Sequence, residues 1–148
     1  MELVFDIETD DLNATKVWCI VAQNPVSGEV FKFPPDKLEE GYQFLQTADK
    51  LIGHNIIGFD IPVIKKLHGI DLWDKDKVVD TLVLSRLLNP VREKGHSLKV
   101  WGTKLGVAKD LPPENFQVYT KDTLKYCIKD VVLNKLLFEY LKKESAGF

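Results

Sequence analysis

Two carboxylates stand two residues apart near the start of the chain, in Leu3-Val4-Phe5-Asp6-Ile7-Glu8. Side chains alternate between the faces of an extended strand, so Asp6 and Glu8 share one face while Phe5 and Ile7 take the other. Two acids at the end of an apolar strand repel each other and need a cation or a shared proton to coexist. A metal site meets that need. Taken alone, however, the pair is read more simply as the end of a strand with solvated acids beyond it.

Two further acids enlarge the pattern. Tyr126 and Asp130 are four residues apart, one helical turn, which sets a phenol beside a carboxylate, while Leu124, Ile128, Val131 and Leu136 supply the apolar stripe. Asp60 closes the stretch Gly53-His54-Asn55-Ile56-Ile57-Gly58-Phe59-Asp60, where a strand breaks into a glycine-containing loop and a helix begins. Followed by Ile61-Pro62, Asp60 reads equally well as a helix N-cap. His54 and His68 have no partners at ligand spacing and are not assigned to a zinc site. Cys19 and Cys127 lie far apart, without the spacing of a zinc knuckle or redox pair, and are expected to be buried, reduced and structural.

The elements that must position these groups follow from periodicity and turn chemistry. Strands are predicted over Glu2 to Ile7, Lys16 to Asn24 and Glu29 to Phe33, with the turn Pro25-Val26-Ser27-Gly28 between the last two. Leu38, Tyr42 and Leu45 at helical spacing predict a helix from Asp36 to Ala48, with Asp36 as its N-cap. A short strand at Leu51 and Ile52 enters the Gly53 loop. Ile61, Ile64 and Leu67 mark a helix stopped at His68-Gly69, and a brief strand at Val78-Val79-Asp80 precedes a helix from Thr81 to Leu88. Ser97 caps a helix to Leu105 with Gly106 as its stop, and a long helix runs from about Thr120 to Lys143. The order β-β-β-α-β-α-β-α-α-α predicts an α/β mixed sheet with helices on both faces.

At 148 residues the chain is expected to form a single domain, 1–148, with a core that needs no disulfide. No apolar run approaches the roughly 20 residues of a membrane span. Neither a basic stretch nor a cleavage site opens the sequence, so the cytoplasm is the expected compartment. A net charge of −2 argues against a protein that coats nucleic acid with a broadly basic face. The charges are nonetheless segregated: residues 1–74 hold 6 Lys and 13 Asp plus Glu, or −7, and residues 75–148 hold 14 Lys plus Arg and 9 acids, or +5. Arg86, Arg92, Lys94, His96 and Lys99 are candidates for phosphate contacts and equally for ordinary surface charge.

In combination the acids are more specific than any one of them. Asp-Ile-Glu-Thr on an opening strand, Asn-x-x-x-Phe-Asp in the middle and Tyr-x-x-x-Asp on a late helix resemble the three exonuclease motifs of the DEDD, or DnaQ-like, superfamily. Tyr126 places the resemblance with the DEDDy subgroup, since the histidine variant would carry His where this chain has Lys125. The stretches Asp80-Thr81-Leu82-Val83-Leu84-Ser85-Arg86-Leu87 and His96-Ser97-Leu98-Lys99-Val100-Trp101-Gly102-Thr103-Lys104-Leu105-Gly106 are similar to proofreading domains of phage family A DNA polymerases. The resemblance implies a ribonuclease H-like fold and a 3′-to-5′ exonuclease that releases nucleoside 5′-monophosphates from single-stranded DNA ends. It also implies two divalent cations, magnesium or manganese, with Asp6, Glu8 and Asp130 on one and Asp6 bridging to a second that Asp60 supports. Tyr126 would orient the attacking water, because a phenol of ordinary pKa near 10 is a poor general base at neutral pH. By the same similarity Leu12 would wedge between the last bases, Thr9 would hold the terminal sugar, and His54, Asn55 and Phe59 would line the strand's path. The expected protein is a monomer that binds no membrane, with a separate DNA polymerase chain as a candidate partner and a host's cytoplasm as its place if phage-encoded. The competing readings are an RNA-trimming relative and a catalytically silent module that positions DNA for a polymerase.

Overall fold

The structure, a computed structural model, describes residues 1–107 and 111–146. Its centre is strand β1, Glu2–Thr9, whose apolar run Leu3-Val4-Phe5 is wholly buried. β1 pairs antiparallel with β2, Val17–Gln23, and β2 pairs antiparallel with β3, Val30–Phe33. The β2–β3 turn is tight because Asn24 Oδ1 accepts from the amides of Val26 and Ser27, while Gly28 adopts a φ of +81°. On the other side of β1, the parallel strands β4, Lys50–Gly53, and β5, Val78–Asp80, complete the order β3-β2-β1-β4-β5.

Helices cover both faces of this mixed sheet. Helices α1, Leu38–Gln46, and α2, Ile61–His68, bury Tyr42, Leu45, Ile61 and Ile64 against Leu3, Phe5, Ile7, Ile20 and Ala22. The remaining helices are α3, Thr81–Leu88, α4, Leu98–Leu105, and the 26-residue α5, Lys121–Ala146. α5 lies on the opposite face, where Cys127, Val131 and Phe138 meet Val4, Cys19, Val21 and Ile52. Its outer side packs Leu137 and Leu141 against Trp101 of α4 and, more loosely, Leu84 and Leu88 of α3. Each fully buried Leu, Ile or Phe in these layers contributes about 1.5–3 kcal/mol of transfer free energy, which holds α5 on the sheet. No helix among the described residues is long and apolar enough to cross a membrane.

One expected helix cap is corrected, and one alternative reading as a cap falls away. Asp36 does not cap α1: it sits inside a 3₁₀ turn, Pro35–Lys37, and its side chain makes no cap hydrogen bond. Pro35 sets the fixed φ that begins this tighter turn, so the α-helix starts only at Leu38. Nor does Asp60 cap α2. Its backbone is already helical, it makes no cap hydrogen bond, and its carboxylate turns toward β1. Ser97 does cap α4, accepting from the amide of Val100 at 3.2 Å.

Candidate active site

Because β1, β4 and β5 are parallel, their carboxyl ends open at one edge of the sheet, where β1 has antiparallel β2 on one side and parallel β4 on the other. Crevices at such switch points are the usual ligand sites of α/β sheets. Asp6 and Glu8 lie at the end of β1 on the α5 face, alternating with Phe5 and Ile7, which join the opposite core. The register with β2 slips between Glu8 and Thr9, a bulge of the kind that re-aims side chains beside functional sites.

The ladder between β1 and β4 stops at the Val4–Ile52 pair. Beyond it the amide of Ile7 donates instead to Asp60 Oδ2 at 3.2 Å, so a buried carboxylate, 3% exposed, takes the place of a strand partner. Residues Ile56–Asp60 form one wide π turn running directly into α2, a local geometry frequent at functional sites. Gly53 permits the close approach of this segment, since a Cβ there would meet Ile56 Cγ2 at 2.3 Å and the Phe5 carbonyl oxygen at 3.0 Å. Asn55 enters the turn with a left-handed φ of 60°, and its side chain fills the space a Cβ on Gly58 would need, 2.5 Å from Asn55 Oδ1.

From above, α5 brings Asp130 and, one turn earlier, Tyr126. The four carboxylates Asp6, Glu8, Asp60 and Asp130 line a single pocket of about 580 Å³, together with Thr9, Leu12, His54, Asn55, Phe59 and Tyr126. These ten residues therefore border one cavity, while the candidate phosphate contacts Arg92, Lys94 and Lys99 border another. Among the described residues that line it there is no lysine or arginine. The electrostatic consequence is large: burial first, then the charges of Asp6 and Asp130, push the Glu8 carboxyl up to about 11. Burial and Asp6 likewise hold Asp60 well above the ordinary carboxylate range, against the lowering effect of the Ile7 amide.

Such a set fits a hard divalent cation, which favours oxygen donors and would relieve the mutual repulsion. Ligand atoms of Asp6, Glu8 and Cys127 all lie within 4.8 Å of one another. Cys127 is a free, buried thiol whose Sγ lies 3.5 Å from the Asp6 carbonyl oxygen, and burial pushes its pKa up, so it stays protonated under the carboxylates.

The expected substrate-lining residues divide into two kinds. Leu12 is 89% exposed at the tip of a loop stapled by Asp10, whose carboxylate accepts from the amides of Thr15 and Lys16 and from the Thr15 hydroxyl. The Thr15 hydroxyl chiefly holds the Asp10 carboxyl down, at about 2. Phe59 and Thr9 are tucked deeper, with Thr9 Oγ1 donating to the Asp11 carbonyl. His54 belongs to the framework: its Nε2–H donates to the His96 carbonyl at 2.9 Å and its Nδ1 lies 2.9 Å from the Thr81 hydroxyl, whose oxygen accepts from Asn134 of α5.

Several residues that shape the pocket escape a reading of the sequence. Asp80 is the foremost. Its carboxylate caps α3 through the Leu82 amide and accepts from the amides of Asn55 and Ile57, all within 3.0 Å, so one side chain ties β5, α3 and the Asn55 turn together. Its signals were an aspartate directly before a helical run and its place at the head of a stretch similar to proofreading domains, neither of which gives these contacts. Phe116 and Leu98 add apolar walls, and Phe116 is fixed by the Trp18 indole, which donates to its carbonyl, and by an edge contact with Tyr126. The structure also corrects two candidate phosphate contacts. Arg92, its side chain 5% exposed, pairs with Glu144 and stacks on Trp101, and His96 spends Nδ1 on Ser85 Oγ.

No protein-family model and no curated protein matches this sequence. Solved structures do. Brucella melitensis NrnC with bound Mg2+ superposes with a TM-score of 0.71 at 20% identity, over 97% of this chain and 72% of that one. Escherichia coli RNase D, an exoribonuclease involved in structured RNA processing, gives 0.72 at 14% over 99% of this chain and 40% of that one. The family B DNA polymerase of the archaeon Pyrobaculum calidifontis gives 0.71 at 19%, over 95% of this chain and 24% of that one. The fold is ribonuclease H-like. At such identities the likeness speaks for architecture, and the chemistry must be argued from the pocket.

Proposed function

We propose that this chain is a divalent-metal-dependent 3′-to-5′ exonuclease of the DEDDy type, hydrolysing the terminal phosphodiester of single-stranded DNA to nucleoside 5′-monophosphates. The observation that carries the reading is the convergence of Asp6, Glu8, Asp60 and Asp130 from three distant stretches of sequence on one pocket, with Tyr126 a turn before the last acid. Two cations held by those four carboxylates would supply Lewis-acid activation of water and of the scissile phosphate. The protein's own part is to gather and orient. Asp60 is fixed by the Ile7 amide, and Asp6 and Glu8 by a central strand, so the acids are arranged before substrate arrives. Tyr126, propped by Phe116, holds a phenol where it orients the attacking water by a hydrogen bond. Leu12, Phe59, Leu98 and Phe116 give apolar surfaces for unstacked bases, which suits an end without sequence preference. Asn55 and Thr9 border the space for the terminal sugar and phosphate.

A second reading, trimming of RNA ends, is supported by the likeness to E. coli RNase D, while the likeness to a family B DNA polymerase supports DNA. One experiment tests both. The purified chain with Mg2+ or Mn2+ is given uniformly labelled single-stranded DNA and RNA of one sequence, and mononucleotide release is followed. Release from DNA at a clearly higher kcat/KM is expected. A preference for RNA would replace the substrate, and no release from either strand would leave the silent, DNA-positioning module.

A further inference from the structure

We infer that a basic cleft next to the acid pocket binds the phosphodiester backbone of the strand upstream of the reacting end; the inference rests on the nuclease reading above. The cleft, about 680 Å³, lies between the loop at 89–95 and α4, with Trp101 as its floor. The two border the same turn of α4: Leu98 lines the pocket and Lys99, the next residue, lines the cleft. His54 ties the two together again through its hydrogen bond to the His96 carbonyl.

The side chains of this region divide by task. Arg92 and His96 build the wall. Arg92 pairs with Glu144, donates from Nε to the Ser85 carbonyl at 3.1 Å and stacks on Trp101, while His96 holds Ser85 Oγ at 2.7 Å. Between these anchors Lys94 and Gly95 take successive left-handed conformations, with φ of 64° and 96°. That conformation is uncommon for a lysine, and the loop is held in it from both sides. Lys94 and Lys99 are exposed and form no ion pair among the described residues. Lys104 lies over the rings of Trp101 and Tyr140, at 4.8 and 5.2 Å. With Arg92 neutralised by Glu144, three lysines against Glu93 leave the cleft two positive charges in excess.

A polyanion with evenly spaced charges and no required sequence is the ligand such a surface recognises. The acid pocket repels phosphate until cations fill it, so the cleft gives an entering strand its first favourable contact. It also supplies part of the positive excess of residues 75–148.

The test uses fluorescein-labelled oligothymidylates of twenty and three nucleotides, dT20 and dT3, with binding read by anisotropy in EDTA and hydrolysis read in Mg2+. The variant carries Lys94→Asn, which tolerates the left-handed backbone, together with Lys99→Gln and Lys104→Gln, which keep most of the alkyl stems. Its melting temperature is checked against wild type. Binding of dT20 is expected to weaken roughly tenfold, and the slope of log K against log salt to shallow by about 2, from about 0.7 per lost phosphate contact on a single strand. The ratio of kcat/KM for dT20 to that for dT3 is expected to fall about tenfold. Lys99→Arg with Lys104→Arg should retain the wild-type slope. A triple variant that keeps both slope and affinity overturns the inference, as does wild-type binding of polyglutamate as tightly as dT20, which would mark an acidic protein as the partner. If wild type hydrolyses neither oligonucleotide, the nuclease reading fails, and the salt slope in EDTA still decides the cleft.

Discussion

The acid pocket and the basic cleft share the first turn of α4, yet they are built by opposite means. The acids come from β1, the turn before α2, and α5, and each depends on partners far away in sequence. The lysines come from one stretch between residues 94 and 104 and project from a surface that other side chains hold in place. A site of the first kind depends on the accuracy of the fold. One of the second kind depends on charge density and tolerates displacement.

If that contrast is right, the pocket should fail abruptly. Asp6→Asn or Asp130→Asn is expected to cost at least ~10³-fold in kcat/KM for mononucleotide release, since each removes a charge that the proposed metal site needs. Circular dichroism should be unchanged, and activity within tenfold of wild type would sink the metal assignment. Tyr126→Phe should cost less, about 10- to 100-fold and in kcat more than KM, as loss of one orienting hydrogen bond. A loss confined to KM would instead make Tyr126 a binding wall.

Asp80→Ala probes the framework beneath both sites. Three part-buried backbone amides lose their acceptor and the tie between β5, α3 and the Asn55 turn is lost, which reads as a fall in melting temperature larger than that of any cleft lysine variant. Removing the metal sharpens the electrostatic side. In the metal-free protein Glu8 is raised to about 11, so its contribution to stability is complete below its unfolded value near 4.5 and is lost as pH climbs toward 11. Calorimetry in EDTA should therefore show a lower melting temperature at pH 9 than at pH 6, Mg2+ should flatten that slope, and metal uptake at pH 7 should release protons. A pH-independent melting temperature in EDTA would contradict the uncompensated charge. The smallest effect is expected at the exposed rim, where Leu12→Ala should raise KM for single strands by roughly threefold, about 0.7 kcal/mol.

What the sequence revealed follows the same divide. Asp6 and Glu8 were legible because period two fixes their common face, and Tyr126 and Asp130 because one helical turn does the same. Asp80 was not, because its role lies in accepting from amides 23 and 25 residues earlier, and no periodicity reports that. Phe116 was hidden because it sits in irregular chain, positioned by a tryptophan 98 residues away. Arg92 and His96 looked like surface charge, since no local pattern distinguishes an arginine on water from one laid across Trp101. Asp36 misled because the preceding proline, Pro35, favoured a tighter turn than the cap requires.

The position of α5 also sets the order in which the two cores close during synthesis. β5 ends at Asp80 and α5 ends at Ala146, a separation of 66 residues. At about 5–20 residues per second, the growing chain holds all five strands for roughly 3–13 s before the last turn of α5 is made. During that interval the Val4, Cys19, Val21 and Ile52 face has no cover, and Asp6 and Glu8 stand without Asp130. The helix that closes the second core is therefore the helix that completes the acid pocket, so no nascent chain that still lacks α5 carries an assembled site.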